Sequence, residues 1–404
     1  MPKISPILLI YAARAVRGFG DGFAVIILPA YLSALGYSPV AVGFAATAAL
    51  LGSAATTLGV GVLGRRHDLR NLLLVGALLM AATGFALAGV EHIAVILIVV
   101  FVGTMNPSAG DTGLMIPLEH ASLAEGVSHD KRTTTFARYS LIGAMATACG
   151  ALAAALPDIL VARGFPQIVS LKAMFALYAG LGLACAVLYT RIPPMRTVET
   201  PPPTALGPSR GIVIKLAALF SVDAFAGGFV VQSLLALWLF ERFDLSLAAA
   251  SLFFFWSSVL TAFSYPIAAR LSRRIGLINT MVFTHIPSSL CLIAAAFAPN
   301  LLTALTLLLV RSALSQMDVP VRSSYVMAVV TPEERPAAAS FTAVPRTLAS
   351  AISPAFAGVL LAGAFPALPF VICGTLKIAY DLALLYTFRH VRPPEEMAPV
   401  VRSP

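Results

Sequence analysis

The stretch RIPPMRTVETPPPTALGPSRG, residues 191–211, interrupts an otherwise apolar chain near its middle. Six of its residues are prolines, which lack the N–H donor of a helix and fix the φ angle. These prolines exclude a continuous helix through the stretch. We predict a cytoplasmic, Pro-rich linker that separates two halves of the chain.

The composition on both sides of the linker is that of a membrane protein. Of the 404 residues, 59% are hydrophobic and 11% are charged, whereas soluble domains carry about 25% charged residues. Apolar runs of about 20 residues, the length that crosses about 30 Å of hydrocarbon, recur along the chain. We therefore predict an all-α integral membrane protein with twelve transmembrane helices. The predicted spans are 7–34, 39–63, 70–90, 93–120, 133–157, 168–190, 212–240, 246–269, 276–298, 300–328, 336–362 and 366–389.

The order of the spans predicts two similar halves. We expect an N-terminal six-helix bundle at 1–190, a C-terminal six-helix bundle at 212–390 and a cytoplasmic tail at 391–404. Asp111 in span four corresponds to Asp318 in span ten, and a basic turn follows each of them. Two pseudo-symmetric bundles around a central cavity are typical of secondary transporters, which bind their substrates near the middle of the membrane.

The basic residues indicate the orientation of the chain. The net charge is +9, which by itself would also suit a nucleic-acid-binding protein. However, most basic residues lie in loops on the same side as the linker and the termini, whereas the opposite loops carry Arg163, Lys172 and Arg242. Because Lys and Arg accumulate on the cytoplasmic side, we predict that both termini are cytoplasmic and expect no nucleic-acid partner.

The sequence gives no sign of a metal site, a cofactor or an enzyme. Its cysteines fall within predicted spans and lack CxxC spacing, so we predict neither a disulfide nor a zinc site. They are Cys149, Cys185, Cys291 and Cys373. No nucleotide-binding glycine loop and no nucleophile–base pair is recognisable. We therefore expect no cofactor and no enzymatic activity.

Two basic loops carry a family resemblance. The loop after span two reads GVLGRRHDLRNLLL at 61–74, and the loop after span eight reads ARLSRRIGLINTMVF at 269–283. Both resemble the G-x-L-a-D-R-x-G-R-R-x-x-L signature of the major facilitator superfamily, which carries it at these two places. Arg65 stands where the signature has an acid, and Asp68 where it has its second glycine. The resemblance implies a gating role for Arg65, Arg66, Arg70, Arg273 and Arg274.

Other stretches are similar to a bacterial, efflux-like branch of this superfamily. They read GDTGLMIPLEHA, INTMVFTHIPSS and MDVPVRSSYVM, at 110–121, 278–289 and 317–327. Span five has Gly143 and Gly150, as drug:proton antiporters of the superfamily do, but it lacks their proline. The resemblance implies a multi-pass protein of the bacterial inner membrane that exports small molecules, and we expect a monomer.

Charged residues within the spans are candidates for a substrate site. Each costs about 2.5–3.5 kcal/mol at a helix centre unless it is paired or hydrated. On one continuous helix, Arg311, Asp318 and Arg322 would share a face. Arg311 has no acid one turn away, so it needs an acid from another helix or an anionic ligand. We predict a substrate cavity lined by Arg311, Arg17, Asp111, Asp223, Gln232 and Tyr325.

Acids within the spans, together with one histidine, are candidates for proton transfer. Asp21 lies near the middle of span one, where Gly18, Gly20 and Gly22 permit a close approach of another helix. His285 is the only histidine well within a span, and histidine changes its charge near neutral pH. The predicted proton-coupling residues are Asp21, Asp111, Asp318 and His285.

A structural role is the alternative for several of these charges. Oppositely charged residues four positions apart on a helix can form ion pairs. The sequence contains three such pairs within spans, namely Arg17–Asp21, Asp318–Arg322 and Lys377–Asp381. Glu119, near the predicted cytoplasmic end of span four, is expected to lie at the membrane interface.

Together these features predict a secondary transporter that works by alternating access. The first hypothesis is proton-coupled efflux of a drug-like, amphipathic or anionic compound. Uptake or facilitated diffusion of a metabolite, metal or metalloid stays open, as does a non-transporting membrane sensor or assembly factor. The expected partners are a small-molecule substrate, protons and the lipid bilayer.

Overall fold

A computed structural model describes residues 5–63, 68–108, 113, 115–125, 132–194, 206–331 and 334–391. The regular elements within these ranges are sixteen α-helices. They are α1 (Pro6–Ala34), α2 (Pro39–Leu63), α3 (Leu69–Gly89), α4 (Ile93–Val102), α5 (Met115–Glu125), α6 (Arg132–Ala153), α7 (Leu156–Ala162), α8 (Gln167–Thr190), α9 (Arg210–Gly228), α10 (Gln232–Phe243), α11 (Leu247–Ile275), α12 (Leu277–Ala296), α13 (Leu301–Leu314), α14 (Asp318–Val329), α15 (Arg335–Leu361) and α16 (Leu368–Phe388).

The predicted all-α membrane architecture is confirmed. Within the described ranges, eleven helical stretches are long and apolar enough to cross a membrane, and Ile93–Val102 is a shorter apolar helix. Large apolar side chains such as Phe263, Phe283 and Leu302 are exposed on the helix surfaces. A lipid bilayer would cover this apolar surface, whereas its exposure to water would be unfavourable.

Four predicted spans are interrupted within the described ranges, between α4 and α5, between α6 and α7, between α9 and α10, and between α13 and α14. Gly227 and Gly228 end α9, and the backbone is extended at Val231 before α10 begins. Pro320 is the third residue of α14. Because proline has no N–H to donate, it fits the first turn of a helix better than its interior. A new helix therefore begins at Asp318.

Glycines bring α1 and α6 into direct backbone contact. A Cβ atom at Gly22 would lie 2.1 Å from the Thr147 carbonyl oxygen, and one at Gly150 would lie 2.0 Å from the Phe19 carbonyl oxygen. No side chain fits at such distances, so this helix pair requires glycine on both sides. The close approach predicted for the glycines around Asp21 is confirmed.

We expect Gly150→Ala to lower the free energy of unfolding by about 1–3 kcal/mol, because the added methyl group forces α1 and α6 apart. Thermal unfolding of the purified protein in detergent measures this effect. Gly180→Ala on α8 is the matched control, since a Cβ there meets nothing within 4 Å and alanine favours the helix. Equal melting temperatures for the two variants would contradict the prediction.

The chain forms two compact units. The first comprises Met1–Thr200, Val231–Val259 and Pro354–Pro366, and the second comprises Pro201–Val230, Leu260–Ser353 and Ala367–Pro404. The first unit thus includes α10, the beginning of α11 and the end of α15 in addition to the N-terminal helices.

Within the first unit, the end of α15 packs directly against α2. A Cβ at Gly43 would lie 2.5 Å from the Pro354 carbonyl oxygen and 2.8 Å from the Gly358 Cα atom. The Ala355 N–H donates to Oγ1 of Thr47 over 2.9 Å. The two backbones therefore touch without intervening side chains.

Two further hydrogen bonds join the N-terminal helices to later segments of the first unit. The Ser233 N–H at the start of α10 donates to the Pro107 carbonyl over 3.2 Å. The Ala248 N–H in the first turn of α11 donates to the Asp158 carboxylate over 2.9 Å. We use the name clamp for the four contacts Gly43–Gly358, Thr47–Ala355, Pro107–Ser233 and Asp158–Ala248.

The second unit holds the end of the predicted linker. The Glu334 carboxylate, just before α15, accepts hydrogen bonds from the N–H groups of Gly207 and Ser209 and from the Thr331 hydroxyl. Hydrogen bonds from Ser209, and then from Gly207, hold the pKa of Glu334 below its usual range. The charged form of Glu334 therefore fixes the chain where it enters α9.

Candidate functional site

A buried ion pair joins α1 to α5 in the first unit. Arg17 Nη2 lies 2.5 Å from Glu119 Oε2, and the two side chains are 6% and 0% exposed. The hydroxyl groups of Tyr139 and Tyr189 also donate to Glu119. The predicted interfacial position of Glu119 is wrong. Arg17 pairs with this acid on another helix, so the alternative of an ion pair with Asp21 on its own helix is not what the structure shows.

Asp21 faces a small polar cavity. The Tyr178 hydroxyl donates to Asp21 Oδ1 over 3.4 Å, which is a long hydrogen bond. Arg14, Arg17 and Thr104 also line the cavity. Its volume is about 20 Å³, enough for one water molecule. The cavity can therefore place a water molecule beside the Asp21 carboxylate.

Gly143 makes room for Arg14 beside this cavity. A Cβ at position 143 would lie 2.3 Å from Nε of Arg14. Cζ of Arg14 lies 5.2 Å from the centre of the Tyr139 ring, in cation–π geometry. The glycine thus positions a cation on the side of α1 that carries Asp21.

A second buried network lies in the second unit and is centred on Asp223 of α9. Asp223 Oδ1 accepts from Lys377 Nζ of α16 over 2.6 Å, and Oδ2 accepts from Arg322 Nη1 of α14 over 3.2 Å. The same Nη1 lies 2.9 Å from Asp318 Oδ2, so the predicted Asp318–Arg322 pair is present. Two acids and two bases compensate one another and connect three helices.

His285 on α12 joins this network to Asp381. Nδ1 of His285 lies 3.1 Å from both carboxylate oxygens of Asp381, and Nε2 lies 3.3 Å from Lys377 Nζ. The predicted Lys377–Asp381 pair is wrong, because Lys377 turns to Asp223 and Asp381 to His285. Asp381 is completely buried.

Two cations of the second unit that are not exposed have no ion-pair partner among the residues that the structure describes. Arg311 is half-buried in the last turn of α13, and its guanidinium group makes no hydrogen bond there. Nε of Arg346 on α15 is buried and has no hydrogen-bond partner in the same ranges. A desolvated guanidinium group is unfavourable unless an anion or water binds it. An anionic ligand would therefore be stabilised by these two cations.

The other predicted site residues are less informative. Gln232 is the first residue of α10 and is half-buried. Tyr325 is fully buried, and its hydroxyl donates to the Val391 carbonyl over 3.1 Å, so we leave it out of the proposed substrate site. Asp111 lies outside the described residues.

The basic loops are described only in part. Arg65 and Arg66 lie outside the described residues. Asp68 accepts a hydrogen bond from the Arg70 N–H over 2.8 Å and caps α3. Arg273 and Arg274 are exposed in the last turn of α11. No group of three metal-binding side chains occurs within the described ranges.

Reasoning from sequence missed the roles of Glu119, Asp381 and Arg346. Each was visible as a charge within or near a span, but spacing along one helix says nothing about partners on other helices. For Glu119 and Arg346 the signal is a charge that has no opposite charge one turn away on its own helix. Asp381 has Lys377 at that spacing, so the sequence gives no such signal for it.

Known proteins resemble this chain over nearly its whole length. A family model described as Major Facilitator Superfamily matches residues 10–310 and 216–403. The "Uncharacterized membrane protein YJR124C" of Saccharomyces cerevisiae is 23% identical over 420 residues, which cover 95% of this chain and 94% of the yeast protein. Similar proteins are therefore not confined to bacteria.

Solved transporter structures share the fold at low sequence identity. The nucleoside transporter NupG superposes with a TM-score of 0.74 at 14% identity, covering 96% of this chain and 100% of that structure. The inward-open xylose transporter XylE from E. coli gives 0.75 at 14% identity, with 97% and 98% covered. A bacterial homolog of the lysosomal transporter Spinster gives 0.70 at 13% identity, with 94% of both covered.

The fold is thus the twelve-helix, two-bundle arrangement of membrane transporters, and it points to a transporter and not to an enzyme. The protein is a multi-pass integral membrane protein. By its family match over nearly the whole length, the chain belongs to the major facilitator superfamily.

Proposed function

We propose that the protein exports a small anionic or amphipathic compound by alternating access, driven by protons that enter in exchange. The observation that carries this proposal is Arg311, a guanidinium group within a transmembrane stretch that has no acidic partner in the described ranges. A cation in that position is unfavourable unless a ligand or water compensates it. An anionic substrate would supply that compensation during each transport cycle.

The buried charges favour a transporter over a sensor or assembly factor. The first unit holds Arg17 and Glu119, and the second holds Asp223, Asp318 and Arg322, all nearly inaccessible to solvent. Charged pairs in a membrane protein are expensive to bury. A scaffold does not need them, whereas a transporter uses charges that can exchange partners.

The clamp supports alternating access. Its four contacts join segments that are far apart in the sequence. Two of them are contacts between backbones, and in the other two a backbone N–H donates to the short side chain of Thr47 or Asp158. Such contacts can separate and re-form without repacking a core. We infer that the clamp closes the periplasmic side and that it opens in the alternate state.

The test of function starts from cells. We expect a strain that overproduces the protein to grow at higher concentrations of certain toxic anionic or amphipathic compounds than a deletion strain. A screen against drugs, metals and metabolites identifies these compounds. Resistance confined to metals or metalloids would favour the alternative substrate class. A growth requirement for an external metabolite would favour uptake.

The proposed orientation is tested by single-cysteine labelling. In a variant without the native cysteines, Arg163→Cys should react with an impermeant maleimide in intact cells, because the loop after α7 faces the periplasm. Ala205→Cys in the linker should react only after the membrane is permeabilised, because the linker is cytoplasmic. Labelling of Ala205→Cys in intact cells would reverse the proposed topology.

A further inference from the structure

Three charged side chains lie around His285, and we call the four residues together the His285 cluster, in which Lys377 is partly exposed and the others are buried. It consists of His285 on α12, Asp381 and Lys377 on α16, and Asp223 on α9. His285 and Asp381 are 2% and 0% exposed. The cluster is therefore sheltered from bulk water, and its hydrogen bonds decide which protons it holds.

The distances assign one tautomer to His285. Nδ1 lies 3.1 Å from both oxygens of Asp381, so this nitrogen carries a proton and donates it. Nε2 lies 3.3 Å from Nζ of Lys377, which in its ammonium form can only donate. Nε2 is therefore the unprotonated nitrogen and accepts from Lys377.

A proton added at Nε2 turns the attractive contact between Nε2 and Lys377 into a repulsive one. The imidazolium N–H would face the Lys377 ammonium group across 3.3 Å, and two cations at that distance repel in a poorly hydrated site. Asp223 Oδ1 lies 3.8 Å from Nε2 and 2.6 Å from Lys377 Nζ. Asp223 is thus the one carboxylate within reach of both cations in the cluster.

We propose that His285 binds a proton and then replaces Lys377 as the ion-pair partner of Asp223. One proton enters and no covalent bond other than the new N–H forms. The imidazolium then bridges Asp381 and Asp223, and the Lys377 ammonium group is released. This proposal rests on the proposed proton-driven transport and names a site for it in the C-terminal half.

The release would loosen the hold of α16 on α9. Lys377 also lies beside the end of α9, because a Cβ at Gly227 would lie 3.7 Å from its Nζ. The break at 229–231 follows directly, and beyond it α10 belongs to the first unit and carries a clamp contact. Protonation of His285 therefore acts next to the C-terminal end of α9.

Other charges near the cluster stay in place during this exchange. Arg322 remains bound to Asp223 Oδ2 and to Asp318 on α14. On α16, the Tyr380 ring packs edge-on against the imidazole. On α13, the Arg311 carbonyl accepts from Ser288 of α12, so a second cation lies on the helix packed against α12. The charges and dipoles of these groups set the electrostatic environment in which His285 gains its proton.

The test is nitrogen NMR of the full-length protein in lipid bilayers, with ¹⁵N-labelled histidine and lysine and with pH as the only variable. When the sample is acidified, we expect His285 to change from protonation at Nδ1 alone to protonation at both nitrogens. The Lys377 Nζ signal should shift over the same pH interval. A variant that keeps His285 as its only histidine assigns the histidine signal, and Lys377→Arg assigns the lysine signal.

Two variants separate this switch from a static structural role. In His285→Gln the Lys377 signal should no longer depend on pH. In Asp381→Asn the ratio of imidazolium to imidazole at a given pH should fall about tenfold, because the charge that stabilises the cation is gone. His92→Gln, at the exposed cap of α4, is the control and should leave both signals unchanged.

Two results would overturn the proposal. The first is a His285 that stays neutral down to the lowest pH at which the protein stays folded, and the second is a His285 that gains its proton while the Lys377 signal stays constant. No substrate is present in this measurement. A negative result would therefore exclude His285 as the proton-binding site. The transport proposal would still be decided by the growth screen.

Discussion

Arg311→Gln should abolish export while the protein still folds and inserts. The guanidinium group has no acidic partner in the described ranges, so its removal breaks no ion pair of the protein. It removes instead the charge that would bind an anionic substrate. Loss of one partner of a desolvated ion pair costs about 2–5 kcal/mol, which lowers transport efficiency at least about thirtyfold. Uptake of the radiolabelled compound from the growth screen into inverted vesicles measures the loss.

Two further variants sharpen this test. Arg311→Lys keeps the charge but loses the planar pair of donors, so an anionic carboxylate or phosphate should be transported poorly. Arg163→Gln removes an arginine from an exposed loop and should transport like the wild type. If both Arg311 variants transported normally, Arg311 would have no role in substrate binding. Reduced amounts of folded Arg311→Gln protein would instead show that it stabilises the fold.

Asp21→Asn should uncouple transport from the proton gradient. Asparagine keeps the oxygen that accepts from Tyr178, and the cavity beside it stays polar, so substrate exchange should survive. The side chain can no longer bind and release a proton, so accumulation driven by a pH gradient should fall to the level of passive equilibration. Proteoliposomes with an imposed pH gradient measure accumulation and exchange separately.

Glu241→Gln is the matched control, because Glu241 is an exposed acid at the end of α10. It should concentrate the compound as the wild type does. An Asp21→Asn protein that still concentrates the compound against its gradient would show that Asp21 is not the proton carrier. In that case the His285 cluster would remain the candidate.

The helices could be predicted because span length and proline chemistry are local properties. The apolar run at 7–34 is long enough to cross a membrane, and the structure has α1 at Pro6–Ala34. The break in span ten was harder to see. Pro320 was a visible signal, but the predicted common face of Arg311, Asp318 and Arg322 assumed one continuous helix. The interruption between α13 and α14 removes the basis of that angular relation.

The charged contacts could be predicted only where both partners lie on one helix. Asp318 and Arg322 pair as predicted, because both belong to α14. Lys377 and Asp381 have the same spacing, yet each binds a residue of another helix. An ion pair within a helix gains only about 0.2–0.5 kcal/mol, so a better acceptor on a neighbouring helix readily replaces it. The packing of the helices decides which partner each charged side chain binds, and this packing cannot be read from the local sequence.

The clamp has a consequence for how the protein is made. Gly43 and Thr47 leave the ribosome early in synthesis, whereas their partners Gly358 and Ala355 follow some 300 residues later. At translation rates of about 5–20 residues per second, the early helices wait tens of seconds in the bilayer with one surface unoccupied. The first unit is completed only when nearly the entire polypeptide has been inserted. We expect truncation before residue 354 to leave this surface open and to make the nascent protein a target for membrane quality control.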